Sequence, residues 1–205
     1  MSWLSNHDLN AALTGMNELY RLRRRSCDEH FCQDAQCLHT IMKGQHHFSG
    51  VFAVDTLPSV NEIGKEMTCI VNSATSLSKG EHWLAVRVMS DIVEFFDSYG
   101  QPPWTYPQLY AWLLALKKRK INFLRQRIQG PKAYCGAYCF YFLSERPFSN
   151  SFYDCFFNNP RFIFTAIDSG ETNEEMIKTY LSLNDRMVFD YLFRHVKQIV
   201  SVFEK

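Results

Sequence analysis

The sequence has almost no net charge and no long apolar run. Its 22 basic and 21 acidic residues leave a net charge of +1 over 205 residues, so no overall field attracts nucleic acid, and such binding would need local basic clusters. No stretch approaches the roughly 18 to 20 apolar residues that a membrane-spanning helix needs. No basic segment followed by an apolar run marks a signal peptide near residue 1. We therefore expect a soluble intracellular protein without membrane contact.

The cysteines lack the regular framework of a disulfide-stabilised protein. There are seven, an odd number, at irregular spacings, and a chain of this length can fold without disulfides. Reduced thiols in an intracellular setting are the simpler expectation. The Cys- and His-rich stretch from Cys27 to His47 contains no Cys-x2-Cys pair, so we interpret it as loop and assign no metal, with a zinc site as the less favoured alternative.

The sequence does contain many apolar and aromatic residues, in patterns typical of strands and helices. Hydrophobic residues make up 46% of the chain and aromatic residues 15%, enough for a densely packed core. Runs rich in β-forming residues occur at 68–72, 83–88, 92–96 and 121–128. The first three predict an antiparallel sheet. Helical spacing of apolar residues occurs at about 5–25, 106–118, 135–145, 171–182 and 185–203. Strands gathered in the middle, with helices before and after, predict an α+β fold.

A hairpin pattern carries the first half of a candidate site. The runs Gly80–Val88 and Ile92–Gly100 are joined by a turn at 89–91, so residue numbers paired across the strands should sum to about 179 to 181. That register places Asp97 opposite His82 or one diagonal step away, within reach of a hydrogen bond. A carboxylate held there would fix the imidazole tautomer and leave the other ring nitrogen to accept a proton.

Cys135 carries the second half of the candidate site. It follows a Gln129-Gly130-Pro131 turn and precedes Gly136 and an apolar helix, so its sulfur should lie at a helix N-terminus, where free N–H groups and the helix dipole stabilise a thiolate. Gly136 leaves room for a substrate backbone. Gln129, six positions before Cys135, can donate its amide N–H to a developing oxyanion. Each residue alone is more often structural, but their joint order and spacing favour nucleophilic catalysis.

The order and spacing of these motifs resemble a known family. The motifs are Gly80-x-His82-Trp83, Asp97-Ser98-Tyr99-Gly100, Gln129-Gly130-Pro131 and Cys135-Gly136-x-Tyr138-Cys139. Together they are similar to the adenovirus-type cysteine proteinases (adenain-like), which are distantly related to the proteases of SUMO and other ubiquitin-like proteins. Two departures stand out: adenovirus enzymes usually have Glu at the position of Asp97, and one more residue between Gln129 and Cys135. Asp is the usual acid in the SUMO-protease branch.

The resemblance implies a fold and a domain organisation. The fold would be a central mixed β-sheet flanked by helices, with Cys135 at the N-terminus of a buried central helix. A single cysteine protease domain would span 1–205, with a helical and Cys/His-rich extension at about 1–48, a catalytic core at about 49–160 and C-terminal helices at about 161–205.

The resemblance also implies a reaction. Cys135 would form an acyl-enzyme thioester, with His82 as general base, Asp97 as its orienting acid and Gln129 at the oxyanion. Family members favour small residues, especially glycine, before the scissile bond, and Trp83 beside the base could roof a narrow slot. We expect a maturation endopeptidase, encoded by a virus or a transposon, that cleaves structural precursors in a host nucleus or a virion. The alternatives are a deconjugating protease for SUMO or ubiquitin-like proteins, an inactive capsid- or DNA-associated relative, and an acetyltransferase.

The chemistry itself requires no cofactor, but the resemblance implies two activators. Adenovirus enzymes use a peptide joined by a disulfide and also viral DNA, so polypeptide substrates, a peptide cofactor and DNA are the expected partners. Two basic clusters could supply salt-sensitive phosphate contacts: Arg21–Arg25 and the run Lys117, Lys118, Arg119, Lys120. A solvated helix end is the slightly favoured explanation of each cluster.

Overall fold

The computed structural model describes residues 35–45, 47–78, 80–118, 120–131, 133–144, 181–188, 190–192 and 194. The predicted helix at 5–25, Cys27 and Cys32 of the Cys/His-rich stretch, the basic cluster Arg21–Arg25, and most of the predicted helices at 171–182 and 185–203 lie outside the described residues.

Five strands form one mixed sheet in the order β1-β2-β3-β4-β5. They are β1 (Phe48–Ala53), β2 (Met67–Asn72), β3 (Trp83–Val88), β4 (Ile92–Phe96) and β5 (Lys120–Phe123). The pairs β2–β3 and β3–β4 are antiparallel, as the sequence predicts. β1 pairs with β2, and β5 with β4, in parallel. The predicted α+β class with a mixed sheet is thereby confirmed.

Helices cover both faces of the sheet. They are α1 (Ala35–Met42), α2 (Pro107–Ala115), α3 (Cys135–Ser144) and a helix that includes residues 181–188, here α4. Trp83 and Ala85 of β3 face the core that contains α3, whereas Leu84 and Val86 face the core that contains Leu109 of α2. Because both faces are buried, β3 has a nearly continuous apolar sequence rather than an alternating one.

Two predictions about segments near the sheet, one interpreted as loop and one as a longer strand, were wrong. α1 lies inside the stretch that was interpreted as loop, and its buried Leu38, Ile41 and Met42 form an apolar face at helical spacing that the surrounding polar residues obscure. β5 ends at Phe123 instead of reaching Ile128. Beyond β5 the chain turns toward the end of β4, because the backbone N–H groups of Ile128 and Gln129 donate to the carbonyl of Ser98.

The predicted break between the two C-terminal helices was also wrong. Residues 181–188 form one continuous helix, although Asn184 and Asp185 are typical turn residues. Both side chains are buried and serve tertiary contacts instead. Asn184 donates to the carbonyl of Ile128 at 3.2 Å, and Asp185 accepts from the backbone N–H of Gly130 at 2.8 Å.

Candidate active site

The candidate site lies at the edge of the sheet where β4 ends and β3 begins. His82 directly precedes β3, and Asp97 directly follows β4. The observed register pairs Ala85 with Phe96, so continuing it by three residues brings His82 opposite Tyr99 and leaves Asp97 one diagonal step away. His82 Nε2 lies 2.8 Å from Asp97 Oδ1. The structure thus brings the two side chains together as the hairpin pattern predicts.

Asp97 is a buried carboxylate whose oxygens accept several hydrogen bonds. It is 1% exposed. Oδ1 accepts from His82 Nε2 and from the backbone N–H of Tyr99, the latter at 2.7 Å, while Oδ2 accepts from the hydroxyl of Tyr106 at 2.6 Å. These donors compensate the cost of burying the negative charge and fix the plane of the carboxylate. Since a carboxylate only accepts, Nε2 of His82 carries the proton of this contact.

Sequence alone did not identify Tyr99 and Tyr106 as site residues. Tyr99 appears in the sequence only as part of the motif that follows β4, and only its proximity to Asp97 could have signalled a role. Tyr106 stands directly before α2 and reaches Asp97 from nine positions along the chain. Burial, the hydrogen bond to Asp97 and the negative charge of Asp97 all raise the pKa of Tyr106. The Tyr106 hydroxyl therefore stays protonated and acts as the donor.

Cys135 is the first residue of α3. The carbonyl of Tyr134 accepts the first helical hydrogen bond, from Tyr138 N at 3.0 Å, so the N–H groups of Cys135, Gly136 and Ala137 belong to the first turn and have no intrahelical acceptor. These groups and the helix dipole favour a negative charge on the sulfur. At 7% exposed, Cys135 as a whole is largely shielded from bulk water.

His82 connects Cys135 with Asp97. The Cys135 side chain lies close enough to His82 to raise the pKa of its imidazole. Because Nε2 is engaged by Asp97, Nδ1 is the ring nitrogen left for the sulfur. Burial alone would lower the pKa of His82, but hydrogen bonds to Asp97 and Cys135 and their negative charges outweigh burial and raise it to about 9. The imidazole therefore holds its proton at neutral pH.

This raised pKa predicts a pH-dependent stability. The pKa of an unperturbed histidine is 6.5, and that of His82 in the folded protein is about 9. The stabilisation by protonated His82 is therefore complete below pH 6.5 and is lost as the pH rises through 9. We expect the free energy of unfolding, measured by denaturant titration relative to His82→Gln, to fall by on the order of 1 to 3 kcal/mol across this range. A difference that is constant with pH, or that grows toward pH 9, would contradict the assignment.

Gln129 is fully buried and is held against the residues that follow Asp97. Its backbone N–H donates to the carbonyl of Ser98 at 3.0 Å. The Ser98 hydroxyl donates to Oε1 at 2.5 Å, and Nε2 donates to the hydroxyl of Tyr99 at 3.3 Å. A hydroxyl on each end of the amide fixes its orientation. The role of Gln129 at the oxyanion stays a prediction.

The turn behind Gln129 is anchored to two helices. Asp185 Oδ1 of α4 accepts from Gly130 N at 2.8 Å and from the Tyr138 hydroxyl of α3 at 3.0 Å. A Cβ atom at position 130 would lie 2.5 Å from Asp185 Oδ2 and 2.8 Å from backbone atoms of Leu181, so only glycine fits at this approach. Arg127 completes the anchor by donating to the carbonyls of Gln129 and Gly130, at 2.8 and 3.2 Å.

The predicted substrate-binding residues lie beside Cys135. Gly136 follows it in α3, and Trp83 belongs to the same core cluster as Cys135 and is only 6% exposed. Trp83 is therefore a core residue, next to His82 in the sequence. Its predicted contact with substrate, like that of Gly136, stays a prediction.

The predicted basic cluster lies at the other end of the sheet from the site. Lys120 pairs with Ile92 at the start of β4, five residues or about 16 Å along the strand from Asp97. Lys117 is exposed, and Lys118 Nζ donates to the carbonyl of Ser90 at 3.0 Å. Arg119 lies outside the described residues.

The described part of the chain contains no candidate metal-binding cluster and no candidate membrane-spanning helix. Among the described residues no group of three or more His, Cys, Asp or Glu side chains could hold a metal ion. Within the same part of the chain, no helix is both long and apolar enough to cross a bilayer.

No protein-family model matches the sequence, and no curated protein matches it. Among solved structures, the chain is similar to the selenomethionine form of the ASFV pS273R protease, at 23% sequence identity and a TM-score of 0.32. The likeness covers 58% of this chain and 44% of that one, so this chain spans less than half of the protease it matches. We therefore base the functional proposal on the geometry of the site.

Proposed function

We propose that this protein is a cysteine peptidase that hydrolyses peptide bonds through a thioester on Cys135. One observation carries the proposal: His82 Nε2 lies 2.8 Å from a buried Asp97, and Cys135, at the first position of a buried helix, is close enough to raise the pKa of the same histidine. A base hydrogen-bonded both to a nucleophile and to an orienting acid is the arrangement that activates thiols for acyl transfer.

The reaction follows from the protonation state of His82. The Cys135 thiolate adds to the scissile carbonyl carbon, and the resulting oxyanion meets the backbone N–H of Cys135 and, as proposed above, Nε2 of Gln129. The His82 imidazolium then gives its proton to the leaving amine as the C–N bond breaks. The neutral His82 next takes a proton from water, whose oxygen attacks the thioester. Release of the carboxylic acid product restores the thiolate and the imidazolium.

Asp97 keeps this cycle in one geometry. Its Oδ1 holds Nε2–H, so Nδ1 stays directed at the sulfur during both proton transfers. The hydrogen bonds from Tyr99 N and Tyr106 Oη hold the carboxylate while the charge on His82 changes. The site therefore needs no reorganisation between acylation and hydrolysis.

The finer assignment rests on the motif resemblance. It is a maturation endopeptidase of a virus or transposon, cleaving structural precursors after small or glycine residues in a nucleus or virion, with DNA and a peptide as activators. The geometric support is local: Gly136 and Ala137 place no large side chain beside Cys135. The alternative is a deconjugating protease for ubiquitin-like proteins.

A peptide panel tests this substrate class. We expect peptides with Gly at the two positions before the cut to have a kcat/KM about 10- to 100-fold above matched peptides with Leu or Phe there, because a narrow slot excludes large side chains. Products are identified by mass. Equal cleavage of both sets would contradict the specificity, and faster cleavage of a folded ubiquitin-like domain ending in Gly-Gly than of any short peptide would favour the alternative.

A further inference from the structure

Tyr99 contacts three of the proposed catalytic side chains, those of His82, Asp97 and Gln129. Its ring stacks on the His82 ring, with centroids 4.7 Å apart and planes 19° from parallel. Its backbone N–H donates to Asp97 Oδ1 at 2.7 Å, and its hydroxyl accepts from Gln129 Nε2 at 3.3 Å.

The position of Tyr99 follows from the hairpin. The β3–β4 register, continued past the last paired residues, places Tyr99 directly opposite His82, which brings the two rings face to face. A stacked ring restricts rotation of the imidazole, so it helps keep Nδ1 directed at Cys135. Arg127 adds a second constraint, because its guanidinium lies 5.1 Å from the centre of the Tyr99 ring.

The hydroxyl of Tyr99 lies at the other half of the site. The Gln129 amide can point either way unless its two ends are distinguished, and here Ser98 Oγ donates to Oε1 while Tyr99 Oη accepts from Nε2. Burial, followed by the negative charge of Cys135, raises the pKa of Tyr99, so the hydroxyl stays neutral. One side chain thus contacts the base through its ring and the amide through its hydroxyl.

We propose that Tyr99 is a positioning residue that aligns the His82 base with its ring and the Gln129 oxyanion donor with its hydroxyl. The effect of Tyr99 on hydrolysis rests on the proposed function, whereas its effect on the position of the His82 imidazole does not. If Tyr99 only completed the turn after β4, removing its hydroxyl would change stability and leave the kinetics unaltered.

The hydroxyl is tested by Tyr99→Phe, which keeps the stacked ring. We expect kcat on a Gly-Gly peptide to fall about ten-fold with KM unchanged, because the lost contact matters only where the oxyanion forms. In a Gln129→Ala background the same substitution should have no further effect, so a double-mutant cycle shows coupling. Tyr110→Phe, a half-buried tyrosine of α2, is the matched control and should keep wild-type kinetics. A wild-type kcat in Tyr99→Phe, or effects that add to those of Gln129→Ala, would overturn the proposed role of the Tyr99 hydroxyl.

The ring is tested by alkylation of Cys135 with iodoacetamide, which needs no oxyanion donor and no peptide. Tyr99→Phe should keep the wild-type pH profile of alkylation, whereas Tyr99→Leu, which removes the stack, should move the inflection of that profile that follows His82 by about half a pH unit or more. Identical profiles in all three proteins would overturn the role of the ring. If the wild type cleaves no peptide, the proposed function fails, but the alkylation profiles still decide whether Tyr99 positions the base.

Discussion

Replacing Cys135 with alanine should abolish peptide hydrolysis, lowering kcat by about 10⁴-fold or more. Cys135 supplies the only protein atom that forms a covalent bond to substrate in the proposed cycle. Loss of a nucleophile from such a triad typically leaves only the weak catalysis of binding and oxyanion stabilisation. The measurement is product formation from a Gly-Gly peptide, quantified by mass, at equal concentrations of folded protein. Circular dichroism and a thermal melt show that the variant is folded.

Cys139→Ala is the matched control for this loss. Cys139 lies one turn further along α3, has no exposed surface, and burial raises its pKa well above the usual range. The Cys69 thiol of β2 is likewise buried, which raises its pKa to about 12. Both thiols are therefore neutral core residues, and Cys139→Ala should retain hydrolysis within about three-fold while losing some stability. Hydrolysis that survives in Cys135→Ala but fails in Cys139→Ala would reverse the assignment.

Replacing Asp97 with asparagine should lower kcat by about 10² to 10⁴-fold with the fold intact. An amide at this position can turn its N–H₂ toward His82, favouring the wrong tautomer, and removes the negative charge that helps to raise the pKa of His82. Two readouts follow: steady-state hydrolysis, and the pH profile of Cys135 alkylation. The inflection of the alkylation profile that follows His82 should move to lower pH, because the imidazolium then loses its proton at a lower pH.

Asp91→Asn provides the matched control for Asp97. Asp91 is an exposed acid in the turn of the same hairpin, so the substitution makes the same change of charge without touching His82. We expect kinetics within about two-fold of wild type. Comparable kcat values for Asp97→Asn and Asp91→Asn would show that Asp97 does not orient the base.

The parts of the site set by local structure could be predicted from the sequence. A two-stranded hairpin fixes its own register through a short turn, so the proximity of His82 and Asp97 followed from counting residues. The position of Cys135 at a helix start followed from the turn before it and the apolar run after it. In both cases the residues that determine the geometry are close in the chain.

The supporting residues could not be predicted because distant segments supply them. Tyr106 reaches Asp97 only after the chain has passed through a short 3₁₀ turn, and no pattern in the sequence marks that approach. Asn184 and Asp185 resemble a turn between helices, but their side chains are buried against the segment 128–130, more than 50 residues away in sequence. Tertiary hydrogen bonding overrode the local signal there. The parallel pairings of β1 and β5 are likewise long-range, so their partners were not visible in the sequence.

The central claim is that Cys135 forms a thioester with a polypeptide acyl group, and trapping that intermediate tests it most directly. A Gly-Gly peptide ester would be mixed with the protein, the reaction quenched in acid within milliseconds to seconds, and the digested protein mapped by mass spectrometry. The proposed mechanism predicts the acyl mass on the fragment that contains Cys135, its loss on treatment with hydroxylamine, and its absence in Cys135→Ala. Turnover of the ester with no acyl group on Cys135, or with the group on another residue, would contradict it.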